Sequence, residues 1–342
     1  MAIHKLTSTN AFVAFDLEGV PASGLVRCAP KILQGGAKDL ARSQTYTFAT
    51  AEMKKGGASA GINAQPDERD TAITAFVEEL TPMSSEGALS LDAGKGVTAD
   101  LIQPLRDADD RSSLGLSEVD GETLASHLAG LGPVIAAGEV VGGLDGRRVA
   151  IEGFGASGPL LAATAARRGA RVVSISTTKG NVSSADGFGD DELREMWGQN
   201  AEAMVGDDAD PAWKVFGAEV DVLFAGSKAG AINHDTADRL ACNVVVPHSP
   251  LPYTARALAV MQRGNITAVP DFIPLAAPAF AWWPEPNATA DDAIATATAA
   301  VESAIAETRS HEDGFFLGAC YRAETFLGSW LDELPFGRPL AS

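Results

Sequence analysis

The chain has 342 residues, more than one hydrophobic core usually supports, so two domains are expected. It carries 45 acidic against 26 basic residues, and the net charge of −19 disfavours binding to nucleic acid or to an anionic membrane surface. Hydrophobic residues make up 46% and aromatic ones only 6%, which favours packed α/β layers over an aromatic-rich β sandwich. The acidity indicates either a self-repelling soluble surface or adaptation to high salt.

The cysteines and the N-terminus set further limits. Cys28, Cys242 and Cys320 are far apart and outside any C-x-x-C spacing, which indicates neither a disulfide framework nor a zinc site. Residues 1–10 lack the apolar stretch of a signal peptide, and no stretch reaches the roughly 20 apolar residues of a membrane span. A reducing cytoplasm is the expected location, without a membrane partner.

Alternating strand and helix patterns begin near the N-terminus. The predicted elements, in chain order, are strands at 11–15 and 25–27, a helix over 38–54, a glycine-rich loop over 54–63 leading into a short strand, a helix over 68–80 capped by Asp67, and a strand over 89–94. The acidic segment 107–120 is expected to be an exposed connection. It leads to a helix over 123–137 that Pro133 interrupts.

A strand, a glycine turn, a helix and a second strand follow over 148–176. Gly153 permits a tight turn, Gly155 lets the main chain approach a pyrophosphate, and Gly158 lets the helix pack on the sheet. The predicted cofactor-binding residues of this loop are Gly153, Gly155, Ala156, Ser157 and Gly158. The alternative is a strand-to-helix turn in another α/β protein, in which the glycines serve packing alone.

The alternation continues to the end of the chain. Further strands are predicted at 220–224, 243–246 and 267–269, and further helices near 235–240, 253–263, 291–308 and 314–334. Strands that alternate with helices predict a mostly parallel, doubly wound sheet of the Rossmann type.

Seven segments occur in an order found in one enzyme family. They are Gly24-Leu-Val-Arg27, Gly56-Gly-Ala-Ser-Ala-Gly-Ile62, Asp92-Ala-Gly94, Gly153-Phe-Gly155, Gly230-Ala-Ile-Asn233, Val269-Pro-Asp271 and Gly318-Ala-Cys-Tyr-Arg-Ala-Glu324. Through them nearly the whole chain resembles the glutamate/leucine/phenylalanine/valine dehydrogenase family, and its length is closer to the leucine branch than to the larger glutamate enzymes.

The resemblance implies a fold and an activity. The fold would be α/β with two domains: residues 1–122 as a substrate and dimerisation domain with a mixed sheet, closed by helices of 310–342, and residues 123–309 as a Rossmann-type domain. The activity would be oxidative deamination of a small-molecule L-amino acid with NAD or NADP. The family's members assemble through the first domain, so a homo-oligomer is expected.

The sequence departs from the family at its substrate-binding positions. The catalytic lysine of the family's Gly-Gly-x-Lys loop corresponds to Ser59, and a second lysine, which contacts the substrate carboxylate, corresponds to Thr47. The Gly-Ala-Asn motif near the nicotinamide reads 247–250, Pro-His-Ser-Pro, so its asparagine is lost, and the later Asn-Ala-Gly-Gly reads 275–278, Leu-Ala-Ala-Pro. Ser59 cannot supply an ammonium, which compromises ordinary amino-acid deamination.

Other residues are candidates for the missing chemistry. Asp92 matches the family's catalytic aspartate and is either a general base or a turn-former, although a register shifted by three would place Lys95 there. The missing cation at the substrate site is supplied by one of three lysines, Lys54, Lys55 and Lys95. The alternative is that all three are solvated surface lysines. His248 acts as an acid or base near the nicotinamide, or it packs. His127 and His234 are interpreted as helix and cap residues, and no cluster has metal-ligand spacing.

The end of the second nucleotide strand bears on the choice of cofactor. NAD enzymes place an acidic residue there, whereas this chain has Ser176, Thr177 and Lys179, which tolerate a 2′-phosphate. NADP is therefore favoured over NAD, unless the substitution at Thr177 reflects a decayed cofactor site.

Two functional hypotheses follow. The first is an NAD(P)-dependent oxidoreductase acting on an amine, imine or carbonyl substrate, by a reaction other than ordinary glutamate or leucine deamination. The second is a catalytically silent homologue that binds a nucleotide or metabolite and acts through oligomeric assembly.

Overall fold

The computed structural model describes residues 1–155, 157–198, 205–206 and 209–341. Its chain divides into two compact units: unit 1 comprises Met1–Ser112 and Ala323–Leu340, and unit 2 comprises Ser113–Arg322 and Ala341. Residues 113–122 and 310–322 thus belong to unit 2. The boundaries predicted from the sequence place both segments in the first domain instead. The first of these segments packs against the helix that follows it, which explains its place in unit 2.

Unit 1 is a mixed sheet with helices on both faces. Its elements are β1 (Ala2–Lys5), β2 (Ala11–Phe15), β3 (Ala22–Ala29), α1 (Gln34–Thr50), β4 (Gly56–Asn63), α2 (Arg69–Ser85), β5 (Leu89–Ala93) and α3 (Gln103–Ala108). The strand order is β1-β2-β4-β3-β5, in which β4, β3 and β5 run parallel and the other pairs run antiparallel. The predicted mixed sheet is confirmed.

The two faces of this sheet are covered differently. The main core fills the face under α2 and α3, where Val13, Val26 and Ala60 are fully buried. On the other face, α1 packs against β2 and β4 and scarcely reaches β3. Leu25 of β3 is consequently 40% exposed. Half of this second face is therefore open, and the candidate substrate residues lie there.

The predicted glycine-rich loop over 54–63 is wrong, because β4 occupies Gly56–Asn63 in the middle of the sheet. Its small residues allow α1 to lie close: a Cβ on Gly57 would stand 1.9 Å from the carbonyl oxygen of Ala41. The predicted cap at Asp67 is also wrong, since α2 begins after Glu68 without a side-chain cap.

Unit 2 contains the doubly wound sheet. Its elements are β6 (Glu118–Val119), β7 (Glu122–Thr123), α4 (Leu124–Val141), β8 (Arg148–Glu152), α5 (Gly158–Arg167), β9 (Arg171–Ser176), β10 (Asn181–Ser183), α6 (Asp190–Gly198), β11 (Val220–Ala225), α7 (His234–Ala237), β12 (Cys242–Pro247), α8 (Ala255–Arg263), β13 (Thr267–Ala268), α9 (Ala279–Trp282), α10 (Ala290–Thr308) and α11 (Phe315–Gly328). The sheet order is β10-β9-β8-β11-β12-β13, parallel except for β10. The order reverses between β8 and β11, where such sheets bind ligands.

The sequence predicts a break at Pro133, but helix α4 continues through this residue. It runs from Leu124 to Val141, capped at its start by the Thr123 hydroxyl, which accepts from the Ser126 N–H. By length and composition it is the one described helix apolar enough to cross a membrane, yet 67% of it is buried inside the protein. Packing against α5 and α10 makes it a core helix and holds it continuous despite the missing proline donor.

Candidate functional site

The open sheet face of unit 1 places two predicted site residues in one row. Leu25 of β3 pairs with Ser59 on β4 and with Asp92 on β5, so all three side chains point to the same face. Adjacent strands lie about 4.8 Å apart, which puts Ser59 and Asp92 about 10 Å from each other with Leu25 between them.

Arg27 lies two residues further along β3 on the same face, and its guanidinium is the cation nearest to Ser59 in the described contacts. Its Nη2 donates to the Ser59 Oγ at 3.2 Å. Its Nε is buried without a partner, and no carboxylate of the described residues pairs with it. Burial lowers the pKa of Arg27, as expected for a desolvated cation. Gly94 makes room for this side chain, because a Cβ there would stand 2.9 Å from the Arg27 Cγ.

Asp92 is held by a buried arginine. Arg111 Nη1 donates to the Asp92 Oδ1 at 2.5 Å, and Arg111 Nη2 donates to the Asp109 Oδ2 at 2.6 Å. The Arg111 side chain is 0% exposed, whereas that of Asp92 is 42% exposed. Burial opposes the charge on Arg111, but Asp92 and Asp109 outweigh it and raise the pKa of the guanidinium. Asp92 therefore keeps a fixed orientation and an accessible carboxylate.

The remaining candidates of unit 1 are placed as follows. Thr47 is buried in α1, where its hydroxyl donates to the Ser43 carbonyl at 3.0 Å, and no described contact joins it to Ser59. Lys95 is exposed in the turn after β5, and Lys54 is exposed as well. Lys55 Nζ lies 3.8 Å from the Asp110 Oδ2, and burial lowers the pKa of this lysine.

Two arginines of this site were not predicted. Arg27 is a charged residue inside the otherwise apolar segment 25–29, where strand alternation places it on the face opposite the buried Val26 and Cys28. Arg111 lies in the segment 107–120, which the sequence predicts to be exposed; instead the Asp109 and Arg111 side chains are fully buried against each other. An arginine within an acidic run was the available signal for that pairing.

In unit 2 the glycine turn lies at the C-terminal end of β8. Gly153 has φ +81°, and a Cβ on it would stand 2.3 Å from the Ser227 nitrogen. A Cβ on Gly155 would meet nothing closer than the Gly153 carbonyl oxygen, at 3.9 Å, so the main chain at Gly155 is accessible. A Cβ on Gly158 would lie 2.8 Å from the Phe154 ring, at the first turn of α5. Ala156, the remaining predicted loop residue, lies outside the described residues.

His248 is buried beside this turn. Its Nε2 lies 2.9 Å from the Glu152 carbonyl oxygen, and its Nδ1 lies 3.4 Å from the Ser157 Oγ. Burial lowers the pKa of His248, with Glu152 acting in the opposite direction. Because both ring nitrogens are engaged within unit 2, the geometry favours the packing interpretation over proton transfer to a substrate.

The end of β9 forms a closed turn into β10. Thr177 donates its main-chain N–H to the Gly180 carbonyl at 2.8 Å, and its hydroxyl accepts from the Lys179 N–H at 3.1 Å. Ser176 is buried, and its carbonyl accepts from the Phe154 N–H at 2.7 Å, which ties this strand end to the glycine turn. The Lys179 side chain is exposed.

These features fit a dinucleotide. No side chain caps α5, and the positive end of this helix favours a phosphate at the glycine turn. The Ser249 hydroxyl, after β12, is buried without a partner among the described residues, which leaves one polar atom for a ligand. Within the part of the chain that the structure describes, no group of His, Cys, Asp and Glu residues forms a metal site.

The chain is similar in sequence to known amino-acid dehydrogenases. The family model of the glutamate/leucine/phenylalanine/valine dehydrogenases matches residues 121–276. Glutamate dehydrogenase A2 of Halobacterium salinarum is 26% identical over 292 residues, which cover 76% of this chain and 67% of the relative. NADP-specific glutamate dehydrogenase A1 of the same organism is 26% identical over 282 residues, with the same shares covered.

Two solved structures share the fold. A hetero-hexameric glutamate dehydrogenase from Thermus thermophilus, in its Leu-bound form, superposes with a TM-score of 0.76 at 22% identity, covering 92% of this chain and 82% of that one. The L-tryptophan dehydrogenase of Nostoc punctiforme superposes with a TM-score of 0.66 at 17% identity and covers 96% of both chains.

The mixed-sheet unit and the doubly wound unit with its glycine turn at the switch point have the fold of amino-acid dehydrogenases. The sequence matches identify the chain as an NAD(P)-dependent oxidoreductase of the amino-acid dehydrogenase superfamily. Enzymes of this class act on CH–NH₂ donors and use NAD or NADP. Residues 121–276 are similar to the glutamate/leucine/phenylalanine/valine dehydrogenase family, and the relatives that match at 26% identity are glutamate dehydrogenases.

Proposed function

We propose that the protein transfers a hydride between NAD(P) and an amine, imine or carbonyl substrate that carries an anionic group bound by Arg27, in a reaction other than ordinary glutamate or leucine deamination. The observation that carries this proposal is the Arg27 guanidinium, which is partly buried on an open sheet face and pairs with no described carboxylate.

A desolvated cation without a counter-ion favours the binding of an anion. A guanidinium presents its donors in a fork that matches a carboxylate or phosphate. Arg27 already contacts Ser59, the position at which the family resemblance implies a lysine. We infer that Arg27 supplies from β3 the positive charge that β4 lacks, with Ser59 orienting it. Thr47, tied to its own helix, contributes no charge.

Asp92 completes the substrate site. Its accessible carboxylate, fixed by Arg111, lies across Leu25 from Ser59. We infer that it accepts or returns the proton of the substrate's amino group or carbonyl oxygen, with Leu25 as the apolar surface beneath. Lys95, exposed on the following turn, is the competing candidate for a substrate cation.

For the cofactor we infer that Gly153, Gly155, Ala156, Ser157 and Gly158 hold the pyrophosphate at α5. The bound nicotinamide would supply or accept the hydride. Ser176, Thr177 and Lys179 would surround the adenosine ribose, and the absence of a carboxylate among these residues supports NADP over NAD.

The first test is a fluorescence titration of the purified protein with NADH and NADPH, with and without a panel of amino acids and keto acids. Tighter binding of NADPH would support the cofactor assignment. Binding of neither cofactor would overturn it.

The second test concerns the substrate cation. Arg27→Met is expected to lower kcat/KM about 100-fold, because the hydrogen bonds of a charged group to substrate are lost. Arg27→Lys should recover part of the activity. Lys95→Met is the matched control in the same unit and should stay within about twofold of the wild type. The reverse result would assign the anion to Lys95.

A catalytically silent homologue is the second candidate, favoured by the ion pair that already occupies Asp92. Asp92→Asn separates the two. Loss of about 10²-fold or more in kcat supports the enzyme, since general acid–base groups contribute at that scale. An Asp92→Asn variant that loses no function supports the silent homologue.

We also propose a homo-oligomer in the cytoplasm. The similar structure from Thermus thermophilus is a hetero-hexamer. All three cysteines are buried and none forms a disulfide, as expected for a reducing compartment. Sedimentation velocity of the purified chain tests the assembly: a single species of monomer mass would overturn it.

A further inference from the structure

Glu152 is a buried carboxylate at the point where the sheet order of unit 2 reverses. It is the last residue of β8 and is 6% exposed, and the proposed function does not use its charge. We propose that the Glu152 carboxylate stabilises the oxidised, cationic nicotinamide relative to the reduced, neutral one, so that the bound reduced cofactor is a stronger hydride donor. This inference rests on the proposed cofactor site.

The carboxylate connects the two halves of the sheet. Its Oε2 accepts from the main-chain N–H groups of Gly226 and Ser227, at 3.0 and 3.1 Å, just beyond the end of β11. An ionised carboxylate only accepts hydrogen bonds, and both of these contacts are of that kind. The other oxygen, Oε1, forms no hydrogen bond with the described residues. Glu152 is therefore held across the switch point through one of its two oxygens.

The topology indicates which part of the cofactor faces this carboxylate. A dinucleotide at such a switch point spans both halves of the sheet. The adenosine ribose is assigned to the end of β9, so we expect the nicotinamide on the other side of the switch point, over β11 and β12. The main chain after β11 is accessible there, because Gly226 is half-buried and Ser227 is exposed. Glu152 binds these same two residues, so its charge lies on the nicotinamide side.

The charge of Glu152 is not neutralised by a neighbouring side chain of the described part of the chain. Its side chain forms hydrogen bonds with main-chain groups alone. His248 Nε2 lies 2.9 Å from the Glu152 carbonyl oxygen, and burial lowers the pKa of this histidine, which favours the neutral ring. Lys228 is exposed and makes no described contact with the carboxylate. A charge in a partly buried place acts over several ångströms, because the effective dielectric constant is lower than in water.

The nicotinamide ring carries a positive charge only in its oxidised form. A nearby negative charge lowers the free energy of that form and leaves the neutral form nearly unchanged. Release of a hydride from the reduced ring creates the positive charge, so Glu152 favours reduction of an imine or carbonyl. The phosphates are the same in both forms, so their repulsion from Glu152 cancels in the ratio of the two dissociation constants. That ratio reports the effect of the carboxylate on the ring.

The experiment measures the Kd of the oxidised and of the reduced cofactor, by calorimetry and fluorescence, for whichever of NAD and NADP the wild type binds more tightly. Glu152→Gln keeps an oxygen that accepts from the Gly226 and Ser227 N–H groups and removes the charge. The ratio of Kd(oxidised) to Kd(reduced) should rise about fivefold, the order expected for charges several ångströms apart at a partly solvated site. A merely structural role would change both Kd values by the same factor and leave the ratio unchanged.

Asp221→Asn is the matched control, because it removes the same charge at the opposite end of β11, where Asp221 pairs with Arg147. It should leave the ratio within about 1.5-fold of the wild type, since the charge is more distant and screened. Glu152→Asp shortens the side chain but keeps the charge, and its ratio should stay within about twofold. Glu152→Ser replaces the glutamine variant if that variant does not fold.

The outcomes separate this inference from the proposed function. An unchanged ratio in the neutral Glu152 variant, or an equal rise in Asp221→Asn, overturns this inference alone. A wild type that binds neither NAD nor NADP, in either redox form, overturns the proposed function as well.

Discussion

The two units use charge in opposite ways. In unit 1 the charged side chains of Arg42, Asp109 and Arg111 are buried and paired, and Arg27 is partly buried beside the open sheet face. In unit 2 the described arginine ion pairs, such as Arg147 with Asp221, are partly exposed. The site proposed in unit 1 therefore consists of side chains on the face of a sheet. The site proposed in unit 2 consists chiefly of main chain at the end of a sheet.

This difference predicts different tolerance to substitution. A buried ion pair is costly to break, because the remaining partner keeps an uncompensated charge. A main-chain site tolerates side-chain changes but not the loss of a glycine that only glycine can replace. Each of the following experiments tests one side of this contrast.

The largest effect is expected for Arg42→Met. Arg42 Nη2 lies 2.7 Å from the Asp16 Oδ1, and Arg42 also donates to the Phe336 and Gly337 carbonyls. The change leaves the fully buried Asp16 unpaired and should cost about 3–5 kcal/mol in the free energy of unfolding. Denaturant titration measures it.

Arg147→Met is the matched control in unit 2 and should cost less than about 1 kcal/mol, as expected for exposed pairs. Equal losses at Arg42 and Arg147 would remove the contrast between the units.

Gly153→Ala should have the next largest effect. Its φ of +81° disfavours any side chain, and the new Cβ would clash with the Ser227 nitrogen. We expect a loss of about 2–4 kcal/mol in stability and of measurable NADH binding.

Gly146→Ala supplies the control, because Gly146 has φ +69° in the same unit but no atom near the added Cβ. It should show the conformational cost alone, about 1 kcal/mol, with normal cofactor affinity. NADH binding by Gly153→Ala at wild-type strength would contradict the main-chain site.

Ser59→Ala is expected to act on function with little effect on stability. It removes the described partner of the Arg27 guanidinium. The KM of the anionic substrate should rise about tenfold, the value of one hydrogen bond to a charged group, while kcat changes less. A large drop in Tm with unchanged KM would instead assign Ser59 to packing.

The smallest effect expected is a difference in acid sensitivity. The pKa values of His248 and His127 are lowered by burial, so below the ordinary histidine pKa of 6.5 the unfolded chain binds protons that the folded unit 2 does not. Unit 2 should therefore lose stability as the pH falls below 6.5. Glu152 and Asp120, which face these rings, moderate the loss.

In unit 1, hydrogen bonds from Ser8 and Thr7 lower the pKa of Glu79 to about 2 from 4.5. Its contribution is present above pH 4.5 and is lost as the pH falls towards 2. As the pH is lowered from 7 to 6 and then to 5, local opening measured by hydrogen exchange should become faster in unit 2 before it does so in unit 1. Faster opening of unit 1 at the higher pH would instead make unit 1 the more acid-sensitive of the two units.

The sequence predicts the glycine turn of unit 2 better than the row of side chains in unit 1, for a physical reason. A glycine turn such as Gly153–Gly155 is encoded locally, because its constraint acts within a few residues. The row of Ser59, Leu25 and Asp92 depends on strand register, and the partnership of Arg27 with Ser59 joins residues far apart in sequence.

The wrong predictions of secondary structure and exposure also arise from contacts between residues far apart in sequence. Small residues predict a loop over 54–63 when helix packing is unknown, whereas β4 needs them to admit α1. Pro133 predicts a break that packing of α4 overrides. Arg111 is hidden in an acidic run because its burial is set by Asp92 and Asp109 rather than by its neighbours' polarity.

The close contact between α1 and β4 also limits how this protein can evolve. A Cβ on Gly57 would collide with α1, and one on Gly61 would stand 2.8 Å from both Ile32 and Phe12 side-chain atoms. Neither position can acquire a larger residue without displacing its neighbours. Leu25, 40% exposed on β3, is by contrast a position of the proposed substrate site where the side chain can change while the fold is kept.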